Sequence, residues 1–195
     1  LLFYTLKCAL NSGEFDRVVV SSEDEEILSY AKKIGVEPYK RPDEISNDNV
    51  HAIHVVLDYI INKGLANNCI VAMLLPTAPL RNAQDIIKAF QIYNKSQADS
   101  LVSVYKESKH LMNFRFIDIK GYLQPFQKGE LNFQRQDVEP LYAVNGSIYI
   151  ATVEALLKYE SYHIGRVIPY IMPKWRSVDI NSLGDIEKAE RVIKS

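Results

Sequence analysis

The sequence predicts an α/β fold, a doubly wound and mostly parallel sheet in a single domain over residues 1–195. Two observations carry that expectation. Short β-branched runs alternate with segments whose apolar residues recur at helical spacing, the rhythm of a sheet wound with helices on both faces. The run CIVAMLL, residues 69–75, has no polar face at all, as a strand covered on both sides requires.

The elements follow in order. Leu2, Phe3, Leu6, Ala9 and Leu10 share one helical face, and Gly13 stops the helix. RVVVSS reads as a strand, and Ser22 with Glu25 reads as a capping box for the next helix. There Ile27, Leu28, Ala31 and Ile34 lie together. VEPYK is a short strand. Val50, Ile53, Leu57, Ile60 and Ile61 line another helix that ends at Gly64. After CIVAMLL, placed at the centre of the sheet, Asn82 caps a helix carrying Ile86, Ile87, Phe90 and Tyr93. SLVSVY is the next strand. Between about 106 and 142 the rhythm breaks, and two projecting hairpins fit the Phe, Tyr, Gln and Lys-rich stretch. A strand GSIYIA, a helix over 152–160, strands near 166–172 and 176–180, and a helix capped by Ser182 complete the chain. It opens inside a helix, whereas a doubly wound fold opens with a strand and a ligand-binding loop. The expectation is that such a strand and loop are missing before residue 1, and that turnover without them is weak.

Composition excludes several classes. With 23 basic and 24 acidic residues there is no broad field for nucleic acid or an anionic membrane. No apolar run approaches the roughly 18 residues of a membrane span. Neither is there a charged leader with a cleavage site. Cys8 and Cys69 sit in separate apolar segments and read as buried free thiols of a cytoplasmic protein. His51 and His54, one turn apart, read as packing or surface residues.

Four segments are candidates for chemistry. KRPDEISND puts Arg41 at a strand end, where open α/β sheets bind ligands. LLPTAPLRN stiffens the exit of a strand with Pro76 and Pro79 and adds Arg81 before a helix N-terminus, a ledge for an anion. FQRQDVEP holds Arg135 between glutamines, planar groups suited to a carboxylate or phosphate. VDINSLGD places Asp179 and Asn181 on one side of an extended segment, as oxygen donors to Mg²⁺ often are. Each also has a plain structural reading: a surface loop, a strand–helix connection, a polar hairpin, a helix cap.

Taken together and in this order, the segments FYTLKCALNSGEFDRVVVSSEDEEI, KRPDEISND, LLPTAPLRNAQDI, RQD, NGSIYI and VDINSLGDIEKAE resemble the acylneuraminate cytidylyltransferases. The resemblance runs over nearly the whole chain. It implies a nucleotide-diphospho-sugar transferase type of fold, with residues 106–142 as a projecting dimerisation segment. It implies transfer of CMP from CTP, with Mg²⁺, to the anomeric hydroxyl of a nonulosonic, sialic-acid-like sugar acid, releasing pyrophosphate. By the same resemblance Arg41, Thr77 and Arg81 face the nucleotide. Leu75, Arg135, Gln136, Asn145, Tyr149, Tyr162 and His163 line the sugar side, and Asp179 and Asn181 hold the metal. The catalytic weight falls on Asp179 and Arg135.

The chain departs from the family pattern at several of these positions. Leu75 stands where the pattern has glutamine, Asn181 where it has a second aspartate, and Ala143 where it has arginine. Tyr162 and His163 replace paired phenylalanines, and His51 and Ala52 replace small hydroxyl residues. Most of these changes touch the sugar, which points away from N-acetylneuraminate itself. Three alternatives stay open: a nucleotidyltransferase for another 2-keto sugar acid, a glycosyltransferase of similar fold, and a non-catalytic dimeric relative. Sugar screening with CTP separates the first, and a sugar-nucleotide donor the second.

Overall fold

A computed structural model describes all residues except 48, 109–113, 127–138 and 195. A parallel pair, β1 (Val19–Ser22) and β2 (Glu37–Lys40), forms one small sheet. A four-stranded sheet has the order β3-β7-β4-β8, with β3 Ile70–Met73, β4 Ser100–Lys106, β7 Tyr142–Thr152 and β8 Val167–Ile171. β4 and β8 run parallel, and β7 runs antiparallel to both of its neighbours. The short hairpin β5 (Arg115–Ile117) and β6 (Leu123–Pro125) stands as a separate pair.

Helices cover both faces of the larger sheet, and β7 shows this residue by residue. Tyr149 and Ala151 point into a cluster with Leu57 and Ile60 of α3 (Ala52–Lys63) and Ala155 and Leu156 of α5 (Val153–Tyr159). Ile148 and Ile150 point the other way, onto Ile86, Ala89, Phe90 and Tyr93 of α4 (Ala83–Lys95). Both faces are therefore apolar, and each fully buried Ile or Leu contributes about 1.5–3 kcal/mol. A third cluster joins Leu6 of α1 (Leu2–Ser12) with Val20, Ala31 and Val36 beside α2 (Glu25–Lys33). The last helix, α6, spans Leu183–Lys194. This is the α/β, doubly wound class expected, with β7 as the antiparallel member.

Helix ends follow the local chemistry. α1 closes on Gly13 at φ 68° and α3 on Gly64 at φ 59°, a left-handed conformation that a Cβ would disfavour. Asn82 and Asp85 make a reciprocal capping box on α4. For α2 the cap is two residues later than the sequence suggested. Asp24, not Ser22, accepts from the N–H groups of Glu26 and Ile27, and Ser22 Oγ accepts from the Asp24 N–H.

Other expectations need correction. β3 is not a central strand among the described residues: it pairs with β7 alone, and Ile70 is 43% exposed. An apolar run specifies burial but not the number of neighbours. Residues 176–180 form no strand. A 3-10 turn at Lys174–Arg176 follows Pro173, and the Ile180 N–H goes to the Thr77 carbonyl rather than into a ladder. Cys8 is half-buried as a free thiol, but Cys69 is exposed. One hairpin of the 106–142 stretch is described; the region of the second lies mostly outside the described residues. No helix among the described residues is long and apolar enough to cross a membrane.

Candidate active site

The centre of the site is a break in the β4–β7 ladder. Val102 pairs with Tyr149 and Val104 with Val144, so Ser103 alone faces residues 145–148 of β7. Such a bulge bends a strand and re-aims its side chains. Gly146 permits it, at φ 70°. The missing Cβ also leaves room: one built there would lie 3.6 Å from Leu75 Cδ1 and 3.8 Å from the Asp179 carboxyl carbon and Oδ1. The bulge thus brings the backbone of β7, the exit of β3 and the Asp179 segment into one place.

The bulge is fixed by buried polar groups. Asn145 is 2% exposed, and Ser103 and Ser147 are fully buried. Ser103 Oγ donates to Asn145 Oδ1 at 2.6 Å and accepts from the Ile148 N–H at 2.7 Å. The Ser147 N–H also donates to Asn145 Oδ1, at 3.2 Å. Asn145 Nδ2 donates to Ser177 Oγ at 2.9 Å and reaches Met172 Sδ at 3.3 Å. From the far side, Arg81 donates to the Ser147 carbonyl and, at 2.9 Å, to Thr5 Oγ1.

Asp179 is the carboxylate among these groups, and like Ser147 Oγ and Arg81 Nε it keeps one buried atom without a partner. Its Oδ2 accepts from Asn181 Nδ2 at 3.1 Å, but its Oδ1 is buried with no hydrogen-bond partner. Tyr149 stands nearby, and its phenol is pushed up, first by burial and then by the Asp179 charge. His163 meets the Tyr149 ring edge-on with centroids 5.7 Å apart. A buried carboxylate oxygen without a donor costs on the order of 1–3 kcal/mol, so the fold holds it open at some expense. It suits a cation or a proton donor arriving with a ligand.

The residues singled out in the sequence divide accordingly. Leu75 and Asp179 meet at Gly146, Asn181 bonds Asp179, Tyr149 lies near the Asp179 charge, and His163 meets the Tyr149 ring. Thr77 joins them through its carbonyl, which accepts from the Ile180 N–H at 2.8 Å. Arg41 lies apart from this cluster, ion-paired to Glu23. Arg135 and Gln136 lie outside the described residues. Three of the residues are buried instead. Arg81 is only 3% exposed and spends its guanidinium on Ser147 and Thr5, with burial pulling its pKa down to about 10; it does not meet a nucleotide here. Asn145 has both lone pairs and both amide hydrogens engaged inside the protein, leaving nothing for a sugar. Tyr162 is 2% exposed and packs behind Tyr149, so it does not line the cleft. Sequence reasoning missed Ser103, Ser147, Ser177 and the Asp85–Arg176 pair. For Ser103 the available signal was a serine within an apolar strand, whose buried hydroxyl finds Asn145 and the Ile148 N–H.

No three His, Cys, Asp or Glu residues converge among the described residues, so a dedicated metal cage is absent there. Mg²⁺ uses few protein ligands when phosphates and water supply the rest. A single open carboxylate oxygen fits that mode, and Asn181 in its present orientation serves the carboxylate as a donor.

A sequence model of the cytidylyltransferases matches residues 1–177, ending just short of Asp179. The chain belongs to the cytidylyltransferase family. An N-acylneuraminate cytidylyltransferase of Streptococcus agalactiae is 29% identical over 187 residues, 95% of this chain and 45% of the relative. The chain thus spans about half the length of that relative. A CMP-N,N'-diacetyllegionaminic acid synthase of Legionella pneumophila is 30% identical over 202 residues, 100% of this chain and 85% of the relative. The solved structure of CMP:2-keto-3-deoxy-manno-octonic acid synthetase complexed with CTP superposes with a TM-score of 0.69 at 12% identity. It covers 98% of this chain and 86% of that one, a likeness of fold.

Proposed function

We propose that the protein transfers CMP from CTP to the anomeric hydroxyl of a nonulosonic sugar acid and releases pyrophosphate. The observation that carries this reading is the buried, unpartnered Oδ1 of Asp179, beside a glycine, in a cytidylyltransferase chain. The named activities of the relatives, on N-acylneuraminate, pseudaminic acid and N,N'-diacetyllegionaminic acid, set the substrate class.

In this reaction the sugar hydroxyl attacks the α-phosphorus in line. A new P–O bond forms, the bond to the β-phosphate oxygen breaks, and the hydroxyl proton leaves to solvent. Little covalent chemistry falls to the protein, which positions the reactants and offsets charge. Asp179 would hold Mg²⁺, with Asn181 Nδ2 fixing the orientation of its carboxylate. Bound there, the ion neutralises charge developing on the phosphates. Thr77 lies on the nucleotide side, and Arg41 reaches the cytidine after leaving Glu23. Leu75, Tyr149 and His163 form the sugar side, where Leu75 favours an apolar substituent over a hydroxyl. Arg135 and Gln136 serve the sugar carboxylate.

The reading includes a homodimer built through residues 106–142 and a cytoplasmic location. Phe116, Ile117, Tyr122, Leu123 and Phe126 of the described hairpin are 51–70% exposed, apolar surface that a second subunit would cover. Sedimentation at micromolar concentration should then give twice the 22.3 kDa chain mass.

The deciding experiment incubates the full-length protein with CTP, Mg²⁺ and a panel of nonulosonic acids, and follows CMP-sugar and pyrophosphate together. Equal release of both is expected with at least one acid. CTP binding without turnover on any acid, or transfer from a preformed sugar nucleotide instead, would sink the proposal.

A further inference from the structure

We infer that Asn145 is a positioning residue for Asp179, acting through Ser177. The inference rests on the reading of Asp179 as the metal-holding carboxylate and adds what sets its place.

The geometry is as follows. Past β8 the Met172 N–H still donates to the Val104 carbonyl, at 2.8 Å. The chain then leaves the sheet at Pro173 and turns through Lys174–Arg176. It returns to the bulge at Ser177. There Ser177 Oγ accepts from Asn145 Nδ2 at 2.9 Å and donates to the Pro173 carbonyl at 3.0 Å. The Ile180 N–H makes the next tie, to Thr77 at 2.8 Å. Asp179 lies between these two ties, with its carboxyl over Gly146. Asn145 sits on the same strand as Gly146, adjacent to it. One side chain therefore fixes both the surface under the carboxylate and the segment that carries it.

Asn145 is suited to this and to little else. Its Oδ1 accepts from Ser103 on β4 and from the Ser147 N–H, which anchors the amide plane to the bulge. The amide hydrogens are then aimed at the returning loop. Neighbours that orient a metal ligand typically influence metal affinity by about 10- to 100-fold.

Ser177→Ala cuts the link while leaving Asn145 anchored. Ser177→Thr keeps the hydroxyl. Ser100→Ala removes a buried β4 hydroxyl that donates to the Tyr162 carbonyl at 2.7 Å, outside this network, and serves as a structural control. Binding of Mn²⁺ is followed by electron paramagnetic resonance in the presence of CTP, beside metal-free CTP affinity, thermal unfolding and the Mg²⁺ dependence of turnover. Ser177→Ala should weaken Mn²⁺ binding about 10-fold, with metal-free CTP affinity unchanged, and Ser177→Thr should restore it. Ser100→Ala should lose stability while keeping Mn²⁺ affinity close to that of the parent. The inference is overturned if Ser177→Ala binds Mn²⁺ like the parent. It is also overturned if Ser100→Ala weakens Mn²⁺ as much at the same loss of stability. Asp179→Ala separates the two layers: if it retains Mn²⁺, the metal reading itself falls and takes this inference with it. If it loses Mn²⁺ while Ser177→Ala does not, only the inference falls.

Discussion

Asp85 and Asp179 are two carboxylates tied to one turn, and their surroundings are opposite. Asp85, 2% exposed at the N-terminus of α4, accepts from both terminal nitrogens of Arg176, from Tyr170 Oη at 2.9 Å and from the Asn82 N–H at 2.9 Å. Asp179 follows Arg176 closely in sequence, yet its buried oxygen has no donor. The chemistry of the two side chains is the same, so only their partners distinguish them. A carboxylate saturated by the protein holds the fold together; one left open awaits something the protein does not supply. The first locks the turn that the second stands on.

Exchanging the two carboxylates for alanine breaks the comparison most directly. Asp85→Ala strands the half-buried Arg176 charge and removes the α4 cap, and should cost about 3 kcal/mol of stability in chemical denaturation. Asp179→Ala should leave stability unchanged or raise it by about 1 kcal/mol, because an unpaired acceptor is removed. Metal-dependent turnover should nevertheless fall at least ~100-fold, matching several kcal/mol of lost charge stabilisation. A large loss of stability in Asp179→Ala would make it a second structural carboxylate.

The same contrast explains what could be read from the sequence. Helices were legible because their apolar spacing and their stops are local: Gly13, Gly64 and Asn82 all end or cap helices as expected. Asp179 stood out as part of a motif. Arg81 and Asn145 belonged to motifs just as clear, and both turned out to be buried. A polar residue beside a strand end can serve a ligand or a bulge, and only the register between Ser103 and residues 145–148 decides which. Register is a long-range property, invisible in either segment alone. The strand expected over 176–180 failed for a related reason. Val178 and Ile180 alternate like a strand, but Ile180 bonds a loop carbonyl instead of a neighbouring strand.

A smaller intervention sharpens the comparison at the open carboxylate itself. Gly146→Ala places a methyl group 3.8 Å from Asp179 Oδ1, ordinary contact rather than a clash. The left-handed backbone at φ 70° should make the change cost about 1–2 kcal/mol. Mg²⁺ half-saturation should rise with it, since the open oxygen is crowded. A stability loss with unaltered Mg²⁺ dependence would show that the glycine serves the bulge alone.

Asn181→Asp tests the opposite sign. A second carboxylate beside Asp179 adds ligand charge and should lower the Mg²⁺ concentration needed for half-maximal turnover. Without Mg²⁺ the two like charges at this exposed position should cost under about 1 kcal/mol. An unchanged Mg²⁺ requirement would confine Asn181 to orienting Asp179 and closing the start of α6.

The smallest effect concerns Asp185, the third carboxylate of the region and the solvent-facing counterpart of Asp85. Its pKa is held down to about 2, first by the Lys188 ammonium and Ser182 hydroxyl and then by the Asn181 N–H. The unfolded chain returns it to its ordinary value of 3.8. With the folded pKa depressed, the unfolded state binds the proton more readily, so acid favours unfolding. Its contribution is complete above pH 3.8 and is lost as the pH falls toward about 2. The start of α6 should therefore loosen in that window, and Asp185→Asn should remove this part of the acid response. Salt should weaken the effect, because Lys188 and Asp185 meet at the surface. Carboxyl-carbon NMR titration of the native protein checks the assignment. A midpoint at the ordinary carboxylate value would mean that these contacts do not hold the proton off.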